Sequence, residues 1–162
     1  METEDQLKEH KWLQRFVGEW AYEFEASSGP GKPNVTMKGT EVVRPLGTLW
    51  VLIEARGEPS SAGPDTSQIV IGFDAQQKKF VGSFISSSMS RMWIYDGGSF
   101  DAAKGRLALS SIGPSMADEG KTAMYEDIHE LTSDGERSFT SRVQRPDGTW
   151  VEFMRGTYRR VR

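Results

Sequence analysis

The stretch 16–26, F-V-G-E-W-A-Y-E-F-E-A, changes period at Gly18. Ahead of the glycine, Leu7, Leu13, Phe16 and Val17 fall at helical spacing; after it, Trp20, Tyr22, Phe24 and Ala26 alternate with Ala21, Glu23 and Glu25. A short helix therefore ends at a glycine and becomes a strand. Upstream, Thr3 and Gln6 have the spacing of a capping box, and Glu4 and Asp5 stand in the first turn, where the helix dipole favours acids. This places the N-terminal helix over about 4–16.

Everything downstream alternates. The segments 35–44, 48–56, 67–74, 79–86, 91–95, 106–112, 122–132, 138–145 and 150–159 are short runs rich in Val, Ile, Thr and aromatics, each bounded by Gly, Pro, Asp or Ser. S-D-G-E (133–136) and P-D-G-T (146–149) have turn chemistry, with Asp capping and Gly available for positive φ, and they predict antiparallel hairpins joining the last three strands. F-D-A-Q-Q-K-K-F (73–80) and F-D-A-A-K-G-R-L (100–107) read as two further hairpins. About ten short strands and one helix predict an all-β fold, a closed antiparallel barrel whose closure leaves no free edge. The Gly/Pro/Ser-rich loops 27–34 and 57–66 belong at a rim.

Bulk properties fit one barrel domain over 1–162. A chain of 162 residues can build a single core, and its 10% aromatic content, including five Trp and eight Phe, supplies bulky side chains for it. Net charge is −3 with basic residues scattered, so electrostatic capture of nucleic acid has no support; the one basic cluster, R-G-T-Y-R-R-V-R at the end, reads as a terminal strand with solvated arginines. The absence of cysteine removes disulfides, thiolate metal sites and cysteine nucleophiles. No apolar run reaches signal-peptide length or the ~20 residues of a membrane-spanning helix, which predicts a soluble, cytoplasmic protein with no membrane partner.

The helix followed by Gly18-Glu19-Trp20 at the first strand resembles the calycin superfamily, the lipocalins and fatty-acid-binding proteins, in which that Trp packs across the closed end of the barrel. A more extended resemblance is to the mostly bacterial domain of unknown function 1579. It rests on His10 and Leu13 ahead of Gly18-Glu19-Trp20, L-G-T-L-W-V-L-I-E-A-R-G (46–57), I-G-F-D (71–74) and F-V-G-S-F-I-S (80–86). Y-D-G-G-S-F-D (95–101), L-A-L-S-S-I-G-P (107–114) and E-F-M-R-G-T-Y-R-R (152–160) continue it in order. The resemblance implies a lipocalin-like barrel and supplies no catalytic residues.

Standard chemical signatures are missing: there is no G-x-S-x-G, no H-E-x-x-H and no phosphate or dinucleotide loop. Imidazole comes from His10, expected to cap or pack near the barrel end, and from His129, which shares a strand face with Asp127. A solvated hairpin is the expected setting of that pair, although base and orienter is the chemical alternative. Because barrels it resembles can hold haem, His129 is also the strand histidine available as an axial ligand. Asp96 and Asp101 lack the alternating ligands and closing Glu of a calcium loop and read as a turn. No metal, cofactor or catalytic residue is assigned.

The segment L-W-V-L-I-E-A-R divides Leu49, Val51, Ile53 and Ala55 from Trp50, Leu52, Glu54 and Arg56. If the aliphatic face points outward, Trp50 and Glu54 line the interior and Glu54 needs a partner such as Arg142 or Arg155; if it points inward, Glu54 is solvated. The candidate ligand-binding set is Tyr22, Trp50, Glu54, Phe84, Trp93, Tyr95 and Arg142. It suits a small apolar or amphipathic ligand bound without chemistry. The alternatives are an enzyme using a cavity carboxylate or histidine, and a homo-oligomeric assembly module.

Overall fold

The computed structural model describes residues 4–59 and 65–162. Helix α1 (Lys8–Gln14) precedes eleven strands: β1 Gly18–Ala26, β2 Val35–Leu46, β3 Trp50–Gly57, β4 Thr66–Asp74, β5 Lys79–Ser86, β6 Met89–Asp96, β7 Gly98–Asp101, β8 Arg106–Pro114, β9 Thr122–Ser133, β10 Glu136–Gln144 and β11 Trp150–Arg160. All pairings are antiparallel, and the strands form one sheet in the order β6-β5-β4-β3-β2-β1-β11-β10-β9-β8-β7. The sheet is rolled into a nearly closed barrel. Its two edge strands, β6 and β7, are consecutive in the chain, so the backbone itself steps across the seam through Gly97 (φ 80°) and Gly98 (φ 130°). A Cβ at Gly98 would lie 1.8 Å from the Ala108 carbonyl oxygen, so this step admits glycine alone. The Ser110 N–H donates to the Gly97 carbonyl at 2.9 Å beside it.

Ten strands were expected and eleven are present; the additional one, β7, lies in the Gly-Gly-Ser segment that reads as a turn. The helix is also shorter than 4–16. Its capping works differently: the Leu7 N–H donates to His10 Nδ1 at 2.9 Å, and His10 Nε2 donates to the Phe73 carbonyl at 2.9 Å. Gln6 precedes the helix and donates instead to the Thr48 carbonyl at 3.1 Å, while Thr3 lies outside the described residues. One imidazole thus satisfies the helix start and ties it to the end of β4.

Gly18 has φ 144°, and a Cβ there would meet Arg160 Nη1 at 2.4 Å and the Arg162 carbonyl at 2.6 Å. The glycine lets the C-terminal strand close over the helix exit. Trp20 follows, 1% exposed, its Nε1 donating to the Phe16 carbonyl at 2.8 Å. Its indole lies between two guanidinium groups, with Arg137 Cζ 4.7 Å and Arg160 Cζ 4.3 Å from the ring centroid. Arg160 also donates to the carbonyls of Arg15 and Val17, each at 2.7 Å, so it is a structural clasp rather than a solvated tail residue. The plugged end is completed by Trp12, Leu13, Phe16, Val43, Val51, Ile71, Phe80, Leu107 and Tyr158, a continuous buried cluster. Each fully buried large apolar side chain contributes about 1.5–3 kcal/mol, so the plug is where most of the stability concentrates.

Candidate functional site

Strand alternation fixes which side chains face the bore. On β3, Val51 (0% exposed) and Ile53 (2%) point inward, so Trp50, Leu52, Glu54 and Arg56 are on the outer face. The outer placement corrects the expectation that Trp50 and Glu54 line the interior. Glu54 accepts from Arg56 Nε at 3.0 Å and Nη2 at 2.8 Å, and the depression beside it, about 80 Å³ between β3 and β4, is too small for a ligand of ordinary size. Trp50 lies flat on the outside over Gly72, whose Cβ would fall 2.3 Å from the indole. Arg142 is likewise outside: it donates to Glu126 Oε2 through Nε at 3.0 Å and Nη2 at 2.7 Å, and its Cζ sits 4.6 Å over the Trp150 ring. Aliphatic side chains on β3 are the stronger signal, because burying Val51 and Ile53 outweighs solvating one carboxylate and one indole face.

The remaining four predicted residues, Tyr22, Phe84, Trp93 and Tyr95, do face inward. Three inward rings share one construction. Tyr22 covers Gly39 on the neighbouring strand, Phe24 covers Gly156, and Trp93 covers Gly113 across the β6/β8 seam; Cβ atoms at these glycines would lie 2.4, 1.8 and 2.2 Å from the respective rings. A ring seated over a glycine lies along the wall instead of projecting into the middle, so these aromatics panel the bore without filling it. Burial follows the same division. Inward side chains near the helix are fully buried, whereas Tyr22, Phe24, Ile69, Phe84, Trp93 and Phe139 point inward and still keep accessible surface. That surface can be wetted only through the bore, from the rim carrying loops 27–34 and 115–121.

At mid-height the bore wall carries a polar cluster. Tyr95 Oη donates to Asp127 Oδ2 at 2.5 Å, and Ser141 Oγ donates to Asp127 Oδ1. Burial raises the Asp127 carboxyl above its ordinary range, against the opposing effect of the Ser141 and Tyr95 donors, and burial first and Asp127 second raise the Tyr95 phenol well above its own. One layer nearer the helix, His129 is 2% exposed between Phe16 (centroids 6.0 Å) and Phe139 (5.0 Å), and neither ring nitrogen has a hydrogen-bond partner. Burial lowers it to about 4, so it is neutral at neutral pH. The solvated setting expected for His129 and Asp127 is therefore replaced by an interior one. The two share a face as expected, yet Asp127 bonds to Tyr95 and Ser141 rather than to the imidazole, so no oriented base is formed. Nor does His129 suit haem ligation, since it stands in the packed layer beneath the bore rather than near a rim. Across from it, Arg137 (0% exposed) bonds to Glu41, 2% exposed, with Nε and Nη1 unpartnered.

Sequence reading missed Asp127, Ser141, Tyr125 and Phe139 as bore residues. The available signal was the pairing of strand glycines with aromatics on neighbouring strands, which depends on register. A second concavity, about 420 Å³, opens at the helix end between Leu7, Phe73, Phe80, Gly98, Phe100 and Leu107, with Lys78, Lys79 and Glu9 at its lip. Lys79 there is engaged by Asp96 at 2.5 Å, and no buried polar side chain converges on the groove. Among the described residues no helix is long and apolar enough to cross a membrane.

No curated protein matches the chain. Solved structures do. Rv2717c from M. tuberculosis superposes with a TM-score of 0.63 at 10% identity, over 98% of this chain and 100% of that one. The S-type phycobiliprotein lyase CPES from Guillardia theta gives 0.61 at 10%, over 97% and 94%. The designed barrel EF1p2_mFAP2b bound to DFHBI gives 0.51 at 12%, over 94% and 99%. These likenesses establish the barrel fold. The family model for proteins of unknown function DUF1579 matches residues 5–160, nearly the whole chain with its plugged barrel, and this protein belongs to that family.

Proposed function

We propose that this protein binds a small, largely apolar molecule in the bore, without chemistry of its own, in a bacterial cytoplasm. The observation that carries this reading is the aromatic panelling, with Tyr22, Phe24 and Trp93 each laid over a glycine on the inner wall and each half-buried rather than fully enclosed. Phe84, Phe139 and Tyr125 extend the apolar lining, and Tyr95 with Asp127 and Ser141 provides the few polar groups that fix orientation in such pockets. The designed barrel of similar fold that is bound to DFHBI supports the capacity of this architecture to hold a bound ligand. The enzyme alternative is disfavoured by His129, whose nitrogens bond to nothing, so that no imidazole joins Asp127 and its Tyr95 and Ser141 donors as an oriented base.

Native mass spectrometry of the protein purified from its own source should show a retained small molecule. Ser67→Trp, placed on the inner face near the rim, should exclude it while circular dichroism reports an unchanged sheet. Retention undiminished by this plug would place the ligand elsewhere, and the helix-end groove would then be the site to examine.

Self-association is a second reading. Ile85, Met92, Ile94, Ile112 and Met124 are exposed on the outer face around the β6/β8 seam. Five such side chains are far fewer than the ~20–30 residues a side of a standard stable interface, so a second copy would be held weakly. Sedimentation at rising concentration, with Ile112→Lys as control, checks it.

A further inference from the structure

We propose that the bore selects a cationic ligand, a protonated amine or amidine on a flat apolar body, with Asp127 as its counter-ion. This rests on the reading of the bore as a binding site and names the class of molecule it takes. Asp127 lies on the inward face of β9 at mid-height and is half-buried. Each of its oxygens accepts one hydrogen bond, from Tyr95 Oη and from Ser141 Oγ, and both donors are neutral. A carboxylate oxygen can accept more than one bond, so both retain acceptor capacity.

No salt bridge among the described residues includes Asp127. The nearby cations are engaged elsewhere. Arg137 is paired with Glu41 in the layer below, Arg142 is outside with Glu126, and Arg91 at the rim donates to the Ile112 carbonyl at 3.1 Å with its Cζ 5.3 Å from the Trp93 ring. Of the other ionisable groups on the inner wall, Tyr95 and Tyr158 have phenols raised by burial and stay neutral, and His129 is neutral as well. The bore thus holds a carboxylate whose compensation is incomplete, which is costly in a partly dehydrated site until a cation arrives.

Above Asp127 the wall consists of π faces. Trp93 and Tyr125 meet edge to face at 4.9 Å, and Tyr22 and Phe24 stack at 4.7 Å. The Tyr125 hydroxyl is taken by the Pro114 carbonyl at 2.5 Å, so what Tyr125 offers inward is its ring. Aromatic faces attract cations and repel carboxylates, and they receive flat apolar bodies equally well. A carboxylate fixed in orientation by two neutral donors beneath an aromatic wall is complementary to an organic cation and to neither an alcohol nor an acid of the same shape.

Three isosteric probes test this by fluorescence or calorimetric titration at pH 7: 2-(aminomethyl)naphthalene, 2-(hydroxymethyl)naphthalene and 2-naphthoic acid. The amine should bind at least about tenfold more tightly than the alcohol, the difference one formed ion pair can supply, and the acid most weakly. Asp127→Asn should erase the advantage of the amine over the alcohol. An alcohol that binds as well as the amine overturns the cationic preference and leaves the bore as a site; a preference that survives Asp127→Asn likewise overturns the role of Asp127. Failure of all three probes to bind overturns both the preference and the bore reading. The comparison among probes uses the unmodified protein, so it holds even if Asp127→Asn does not fold.

Discussion

Tyr95 on β6 reaches Asp127 on β9 at 2.5 Å across a seam where neither strand is hydrogen-bonded to the other. The bond is at once a rivet for the barrel and the device that orients the bore carboxylate. Tyr95→Phe should cost about 1–3 kcal/mol in denaturant unfolding, the loss of a hydrogen bond to a charged acceptor. In a double-mutant cycle with Asp127→Asn the two effects should be strongly non-additive, because they remove ends of one contact. Additive effects would show that the seam is closed by other means.

Acid stability should report His129. Its folded-state value is about 4 against 6.5 for an ordinary imidazole, lowered by burial. The unfolded chain therefore takes up a proton before the folded one does, and stability present above pH 6.5 is lost as pH falls toward 4, by ~3 kcal/mol in all. His129→Leu should flatten that limb. Asp127 has the opposite sign: its carboxyl is raised by burial, so its contribution is greatest at low pH and is lost as pH rises through the raised value. The stability of Asp127→Asn relative to the unmodified protein should accordingly improve as pH rises from about 4, the ordinary carboxylate value, through the raised one. Equilibrium unfolding across pH measures both trends.

Much of the barrel was legible because its signals are local. The Gly18 period change, the Asp-Gly turns and the alternation of short segments each depend on residues within a few positions of one another, and they gave the helix, the hairpins and ten of the strands. β7 escaped because four residues around a Gly-Gly pair carry no period, and because its purpose, stepping the chain across the seam, is a property of closure. The helix start was misplaced because the cap comes from His10, whose orientation depends on Phe73, 63 residues away. At the site, alternation alone leaves both parities of β3 open for Glu54, and the burial of Val51 and Ile53 decides between them. The panelled wall was hidden for a deeper reason: Tyr22 and Gly39, or Trp93 and Gly113, become partners only once register and curvature are set.

Gly113→Ala tests that panelling. The added Cβ would fall 2.2 and 2.3 Å from two atoms of the Trp93 ring, and its three nearest neighbours all belong to that ring, so the indole is what must move. The strand should persist at a cost of about 1–3 kcal/mol. Displaced toward the bore, the indole should change its fluorescence and lower affinity for any bore ligand. Unaltered emission and affinity would mean that Trp93 is not part of the wall that the ligand meets.

The buried pair of Arg137 and Glu41 offers a sharper test of how the plugged end is held. The guanidinium is 0% exposed, 3.6 Å from the Tyr158 ring centroid, with Phe16 at 5.0 Å and Trp20 at 4.7 Å, and burial lowers it to about 10. Glu41→Ala strands that cation among aromatic rings, and it should cost about 3–5 kcal/mol, as breaking one side of a buried pair does. Arg137→Met strands the carboxylate and should cost a similar amount. Replacing both together by Met and Leu removes both desolvation penalties, and the double variant should recover most of the stability lost by either single change. If the double variant instead remained as unstable as the singles, the stacking of Arg137 on Trp20 and Tyr158 would be the dominant contribution, and the cation rather than the ion pair would be what the closed end requires.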